Sequence, residues 1–329
     1  MTVVFVTRGG RVEGFGHVRR CLTLAETLRN LGAASRFVVN PEPTVAALIA
    51  DAGFRVQAID GGGVTSWLDE VDRAAPRVFV ADSYELRRED LARLRQAGPL
   101  VVIDDLADRE IPADVVVNTA PGVGVSAYRG SADARLLLGP RYALLRPEFA
   151  RDGRPAASHP VLRVLVTVGG ADPKASMSRF LSWVRAALPA VTIDAVVGPL
   201  ASGPLGVPEE LVTVHHHPKS LADLMVTADL ALSAGGQVTY ELAAMGVPAV
   251  LVAVAPNQTP QSRSWDAEGV FRFAGDVDDE GVGRRVGEAL RGLAADAALR
   301  EAMSRRGRSL VDGGGAHRVA EAVLELGAR

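Results

Sequence analysis

The chain has 329 residues, of which 48% are hydrophobic and only 5% aromatic; that is room for two α/β domains of roughly 150 residues each. A net charge of −3 gives no footprint for nucleic acid, and the single cysteine, Cys21, excludes an internal disulfide and a thiolate-built metal centre. No apolar run is long enough to span a membrane and no signal-peptide pattern opens the chain, so a soluble, cytoplasmic protein without a membrane partner is expected.

Apolar runs and helical patterns alternate along the chain. Residues 2–7 read as a buried first strand. Gly10, Gly14 and Gly16 then spread over a turn, and an amphipathic helix begins at His17 with Leu22, Ala25, Leu28 and Leu31 at helical spacing. Strands are expected at 35–39, 54–59, 78–81, 100–103 and 115–118, with helices ending near 52, around 67–75 and over 88–97. The proline-, glycine- and polar-rich stretch 147–160 marks a break. A second series follows, with strands at 161–168, 191–197, 211–215, 230–233 and 249–254. Three helical stretches close the chain after Glu280, and the last, 316–327, is a candidate to cross back to the first domain. The reading is therefore an amino-terminal domain over 1–150, a second over 151–315 and a final helix over 316–329. Both domains are expected to be Rossmann-like, doubly wound parallel sheets covered on both faces.

In such sheets ligands gather at the carboxyl ends of the strands. His17 falls at that edge, beside glycines that let backbone approach a ligand and a helix amino terminus with a positive dipole end. The turn lacks the Lys-Ser/Thr of a P-loop and the third glycine of a dinucleotide fingerprint; a capping histidine at a tight turn is the competing explanation. Two further turns suit phosphate chemistry. One is Val168-Gly169-Gly170-Ala-Asp172-Pro173. In the other, Gly235 and Gly236 open a helix carrying Gln237 and, one turn on, Glu241, whose carboxylate can take both hydroxyls of a ribose. The run His215-His216-His217-Pro-Lys219 suggests a metal, but side chains alternate along a strand and cannot all converge on one ion. Asp276-Val-Asp278 sits in an Asp, Glu and Gly run that reads as a solvated loop. No metal site and no cofactor are expected.

Two such domains facing a cleft match glycosyltransferases of the GT-B type, as well as some dehydrogenases and periplasmic binding proteins. The region 233–262 resembles the donor-binding segment of the peptidoglycan N-acetylglucosaminyltransferase. Nearly the full length is similar to the UDP-sugar hydrolase of pseudaminic acid biosynthesis and the spore-coat polysaccharide proteins. The similarity rests on Gly14-Phe-Gly-His17-Val-Arg-Arg20-Cys-Leu-Thr-Leu-Ala, Val101-Val-Ile-Asp-Asp105-Leu-Ala-Asp-Arg109, Leu136 to Phe149, Val168 to Pro173 and Pro256-Asn257-Gln258. The resemblance implies a UDP-sugar substrate with His17 as the base that activates water. Gly14, Gly16, Arg20, Asp82, Tyr84, Asn257, Gln258 and Gln261 would serve the sugar side. Gly169, Gly170, His217, Gly235, Gly236, Gln237 and Glu241 would bind UDP. The chain departs from the hydrolases at Gln237, Tyr240 and Pro256, around the phosphates and sugar. Hydrolysis by water, transfer to a small-molecule acceptor such as a nucleobase, and non-catalytic binding of a sugar nucleotide therefore stay open. For a uronate donor, Arg8, Arg11, Arg19 and Arg20 are candidate carboxylate partners.

Overall fold

The computed structural model describes residues 1–10, 14–59, 77–131, 133–150, 160–170, 172, 176–198, 211–216, 218 and 220–328. The expected helix around 67–75 lies outside these residues. The chain divides into two compact units, Met1–Arg146 with Gly314–Arg329, and Pro147–Gly313.

In the first unit seven strands form one parallel sheet: β1 (Thr2–Thr7), β2 (Ala34–Val39), β3 (Arg55–Ala58), β4 (Arg77–Asp82), β5 (Leu100–Ile103), β6 (Val115–Asn118) and β7 (Arg135–Leu138). Their spatial order is β3-β2-β1-β4-β5-β6-β7. The central strands are runs of Val, Ile, Leu and Phe buried on both faces, as a sheet covered by helices on each side demands. The covering helices are α1 (Gly16–Asn30), α2 (Pro43–Asp51) and α3 (Arg88–Ala97). Helix α1 buries Leu22, Ala25 and Leu28. Leu31, expected on the same stripe, is instead the C-cap and 40% exposed, because Gly32 at φ +85° turns the chain away there.

The second unit repeats the plan with six parallel strands, β8 (Arg163–Thr167), β9 (Thr192–Val197), β10 (Val212–His216), β11 (Leu230–Ala234), β12 (Ala249–Ala253) and β13 (Arg272–Asp276), ordered β10-β9-β8-β11-β12-β13. Its helices are α4 (Ser176–Ala187), α5 (Ala222–Thr227), α6 (Val238–Met245), α7 (Gln258–Ala267), α8 (Val282–Ala295) and α9 (Ala297–Leu310). Strands β7 and β13 have no counterpart in the sequence reading. Both are edge strands and half-exposed; β13 lacks the continuous apolar run that announces a central strand, and β7 is only four residues long. The solvated-loop reading of 276–278 is corrected accordingly: Asp276 ends β13 and accepts a 2.5 Å hydrogen bond from the Thr259 hydroxyl, while Val277 is fully buried.

Strand order reverses direction between β1 and β4 in one unit and between β8 and β11 in the other. Chain leaving the two central strands there departs to opposite faces of the sheet and opens a crevice at the carboxyl edge. Each unit therefore has one topologically favoured ligand position.

The last helix, α10 (Gly315–Gly327), packs within the first unit on α1, β4 and the turn Pro140–Tyr142. A Cβ at Gly315 would lie 2.3 Å from the Ala143 carbonyl oxygen and 2.6 Å from its nitrogen, both backbone atoms that cannot step aside. Gly315→Val is expected to destabilise the protein by about 1–3 kcal/mol through overpacking; urea denaturation checks this, and an unchanged midpoint would show that α10 docks without that close approach.

Candidate active site

At the β1/β4 switch point, the chain leaving β1 is pinned before it reaches α1. The Asn40 side chain, at the end of β2, accepts from the Gly9 N–H at 3.1 Å and donates to the Gly9 carbonyl at 2.9 Å. Gly10 and Gly14 then exchange backbone hydrogen bonds of 3.0 and 2.8 Å, an isolated antiparallel bridge. Gly14 has φ +74°, a conformation that excludes most side chains. Phe15 caps α1, and His17 sits in its first turn, 6% exposed.

The histidine belongs to a buried polar cluster drawn from three adjacent strand ends. Its Nδ1–H donates to Asp82 Oδ1 at 2.6 Å. Asp82 ends β4, opposite Thr7 in register, and is fully buried. Arg20, one turn along α1, grips the same carboxylate with Nε and one terminal nitrogen, both at 2.6 Å. Its other edge holds Asp105, from the loop after β5, at 2.8 and 2.9 Å. The Tyr84 hydroxyl donates to Asp105 at 3.0 Å, and its ring stands edge-on to His17, centroids 4.5 Å apart. The loop bearing Asp105 is itself fastened. Asp104 accepts from the Ala107 N–H at 2.8 Å and from the buried Tyr128 hydroxyl at 2.5 Å, and Asn118 donates to Tyr128 at 2.7 Å.

The donor inventory of Arg20 settles the tautomer of His17. The terminal nitrogen 3.1 Å from His17 Nδ1 has two hydrogens, and both go to carboxylates. Nδ1 therefore carries the proton that Asp82 accepts; in the neutral ring the lone pair falls on Nε2, for which no described residue is a partner. A ring held at one nitrogen by a carboxylate and open at the other is oriented to accept a proton. Burial opposes ionisation of Asp82, but the charges and hydrogen bonds of Arg20 and His17 outweigh it and hold this carboxyl well below the usual carboxylate range. For Arg20, burial opposes the charge and Asp105 and Asp82 more than offset it. Burial, then Asp82, push the Cys21 thiol well above its ordinary value, so it stays protonated and is no nucleophile.

At the β8/β11 switch point the second unit presents backbone. Gly169, φ +89°, and Gly170 follow β8; a Cβ at Gly198, just past β9, would come within 2.3 Å of the Gly169 carbonyl oxygen. Gly235 and Gly236, φ +101°, link β11 to α6. A Cβ at Gly235 would meet Gln258 at 2.7 Å and Ser262 at 2.9 Å, so glycine lets α7 close onto this turn. Gln237 is the N-cap of α6 and Glu241 is half-buried on its first turn.

Several expected ligand groups are engaged by the protein instead. Asp82, assigned to the sugar, is inaccessible and holds His17 and Arg20. Arg20 spends its guanidinium on two carboxylates and is withdrawn as partner for a substrate carboxylate. Arg8 is ion-paired with Glu85 at 3.0 Å. Gln261 accepts from the Gly236 N–H at 3.1 Å and Gln258 from the Val254 N–H at 2.9 Å, so both amide oxygens fasten α7 to strand ends. Asn257 is exposed at the start of α7. The Nε2–H of His215 donates to the buried Asp194 at 2.8 Å, an acid that also accepts from Arg163 at 2.9 Å. His217, Lys219 and Arg11 lie outside the described residues. Among the described residues no three His, Cys, Asp or Glu side chains gather as metal ligands, and no helix is long and apolar enough to cross a membrane. Asn40 was missed in the sequence, and Asp105, though part of the motif Val101–Arg109 that carries the resemblance, was given no role there.

Two all-parallel doubly wound units with these switch points make a GT-B-type protein. MurG from Acinetobacter baumannii superposes with a TM-score of 0.67 at 16% identity, over 98% of this chain and 99% of that one. LpCGTa, solved in complex with UDP, gives 0.68 at 14% identity, over 100% and 99%. By sequence the chain is a distant relative of sugar-biosynthesis proteins. The Bacillus subtilis spore coat polysaccharide biosynthesis protein SpsG is 27% identical, over 99% of this chain and 98% of that protein. The Helicobacter pylori protein named pseudaminic acid cytidylyltransferase and UDP-2,4-diacetamido-2,4,6-trideoxy-beta-L-altropyranose hydrolase is 25% identical over 79% of this chain and 46% of its own length. An uncharacterised Methanocaldococcus jannaschii protein, MJ1062, is 23% identical over 77% and 55%. The chain thus spans about half the length of the last two. No family model matches the chain.

The depressed pKa of Asp82 has a signed consequence. Its stabilising contribution is present above the ordinary Asp value near ~3.9 and is lost as pH falls from there toward the lower folded-state value. Asp82→Asn is expected to cost about 3 kcal/mol at neutral pH, because Arg20 is left partly uncompensated in a buried site. Urea denaturation should show that gap narrowing below about pH 4; a gap that persists undiminished to pH 2 would mean Asp82 is not held as the anion.

Proposed function

We propose that the protein cleaves the bond between the anomeric carbon of a sugar and UDP, with His17 as general base and water as acceptor. The observation that carries this reading is the buried Asp82–His17 pair, which fixes the ring with its proton on Nδ1 and its lone pair on Nε2 at the crevice between β1 and β4. Binding alone has no need of such a ring. Water attacks the anomeric carbon as Nε2 takes its proton. The carbon–oxygen bond to the diphosphate breaks and its electron pair goes to the departing UDP. The products are free sugar of inverted configuration and UDP. A diphosphate is a good leaving group, so a dedicated acid is less needed than in glycoside hydrolysis.

In this reading the second unit holds UDP. The Gly169-Gly170 and Gly235-Gly236 turns let the backbone approach phosphates, the amino terminus of α6 stabilises their growing charge, and Glu241 takes the ribose hydroxyls. Gln261, which accepts the Gly236 N–H, releases it if that group is to reach a phosphate oxygen. One of the distant relatives, the Helicobacter pylori protein, carries a UDP-sugar hydrolase in its name, and that supports hydrolysis. The glycosyltransferase neighbours support the second reading, in which a small acceptor replaces water in the same chemistry.

Two measurements test the proposal. Incubated with a panel of UDP-sugars in labelled water, the protein is expected to release UDP and a sugar labelled at the anomeric carbon. His17→Asn should cut turnover at least ~100-fold. Label on the phosphate, or near-normal turnover in the variant, would exclude this mechanism; release that waits for an added acceptor would establish transfer. For the UDP site, Glu241→Ala is expected to weaken UDP binding by about 1–3 kcal/mol in calorimetry, and unchanged affinity would remove the ribose role.

A further inference from the structure

Asp105 lies beside the proposed base without bonding to it: its hydrogen bonds run to both terminal nitrogens of Arg20 and to the Tyr84 hydroxyl. We propose that Asp105 is a positioning residue that acts on His17 through Arg20, leaving Asp82 free to hold the ring as an imidazolium once it has taken a proton. A guanidinium gripped by Asp82 alone would form a neutral bidentate pair, and the acceptor strength of that carboxylate would be spent on Arg20. Asp105 takes the second edge of the same fork, so two carboxylates face one guanidinium and the cluster keeps one uncompensated negative charge. Arg20 and Asp82 are almost wholly buried and Asp105 is 25% exposed, so that charge is only partly screened and bears on the neighbouring ring.

The geometry keeps Asp105 in place for this task. Asp104, its neighbour, is tied by Tyr128 and the Ala107 N–H, which fixes the loop after β5. Tyr84 joins the two ends, donating to Asp105 and setting its ring against His17. Among the described residues, the groups that face His17 are Asp82 and Tyr84 from the β4 end and Arg20 from α1, with the Cys21 thiol on the far oxygen of Asp82 at 3.5 Å. Of the described charged side chains on neighbouring segments, Arg8 pairs with Glu85, and on α10 Glu325 pairs with Arg135 and His317 with Glu321.

The inference rests on the proposed role of His17, but its test does not need a substrate. The ring Cε1–H of His17, assigned with His17→Asn, is followed by NMR in the full chain as pH is varied. Asp105→Asn keeps the side-chain shape and removes the charge. Its His17 titration midpoint is expected about 0.5 pH units or more below that of the parent, and Asp105→Glu should restore most of the difference. A merely structural Asp105 would change stability and leave the midpoint where it was; that result overturns the assignment. If Asp105→Asn does not fold, Tyr84→Phe carries the test: removing the hydroxyl that damps the Asp105 charge should raise the midpoint, and any other result overturns the proposal. With an active UDP-sugar in hand, Asp105→Asn should lower kcat ~10-fold or more with KM changed less than about threefold. A midpoint that moves in a protein turning over no UDP-sugar would reject the proposed function and keep the positioning role.

Discussion

Burying Arg20 between two aspartates is the constraint around which the first unit is organised. Taking a guanidinium and a carboxylate out of water costs several kcal/mol each before their attraction is counted, and an apolar core of similar volume would often be as stable. The arrangement survives because the fork geometry satisfies both carboxylates at once, at distances of 2.6–2.9 Å. That demands three strand ends at fixed spacing. β1 feeds α1 and so Arg20; β4 ends at Asp82; the loop after β5 delivers Asp105. The Asn40 clamp on Gly9 and the Gly10–Gly14 bridge belong to the same requirement, since a shift of the turn before α1 would move His17 and Arg20 together.

What the sequence disclosed follows from how each feature is encoded. Central strands of a doubly wound sheet are buried on both faces, so 100–103 and 115–118 are plain apolar runs whose bounds agree with β5 and β6. β7 and β13 are edge strands, and Arg272-Phe-Ala-Gly-Asp276 carries no such run. His17 was legible because its glycine-rich turn is local. Asp105 was not, because its significance lies in an arginine 85 residues away, and an Asp-Asp pair after a strand otherwise reads as solvated chain. Gln258 and Gln261 have a structural use the sequence did not announce. Polar amides near a presumed site invite a ligand, yet the absence of side chains at Gly235 and Gly236 brings α7 close enough for both to bond backbone instead.

The two units share a topology and use it for different chemistry. At β1/β4 the crevice is furnished with side chains: a histidine, an arginine, two aspartates and a tyrosine locked to one another. At β8/β11 it is furnished with glycine backbone, while Asp194, Arg163 and His215 are bound into β8, β9 and β10 themselves and Asp172 accepts from the Ser176 and Met177 N–H groups at the start of α4. A proton acceptor must be held in one tautomer and shielded from exchange with solvent, which favours a rigid side-chain network. A diphosphate is recognised by N–H groups and a helix end, which favours close backbone and small residues. The residue types at these two equivalent positions, a locked side-chain network in the first unit and close backbone in the second, support the proposal that assigns the base to one and the leaving group to the other. The same separation explains why the departures from the hydrolase pattern at Gln237, Tyr240 and Pro256 leave the base untouched: all three belong to the second unit, and none contributes to the network that orients His17.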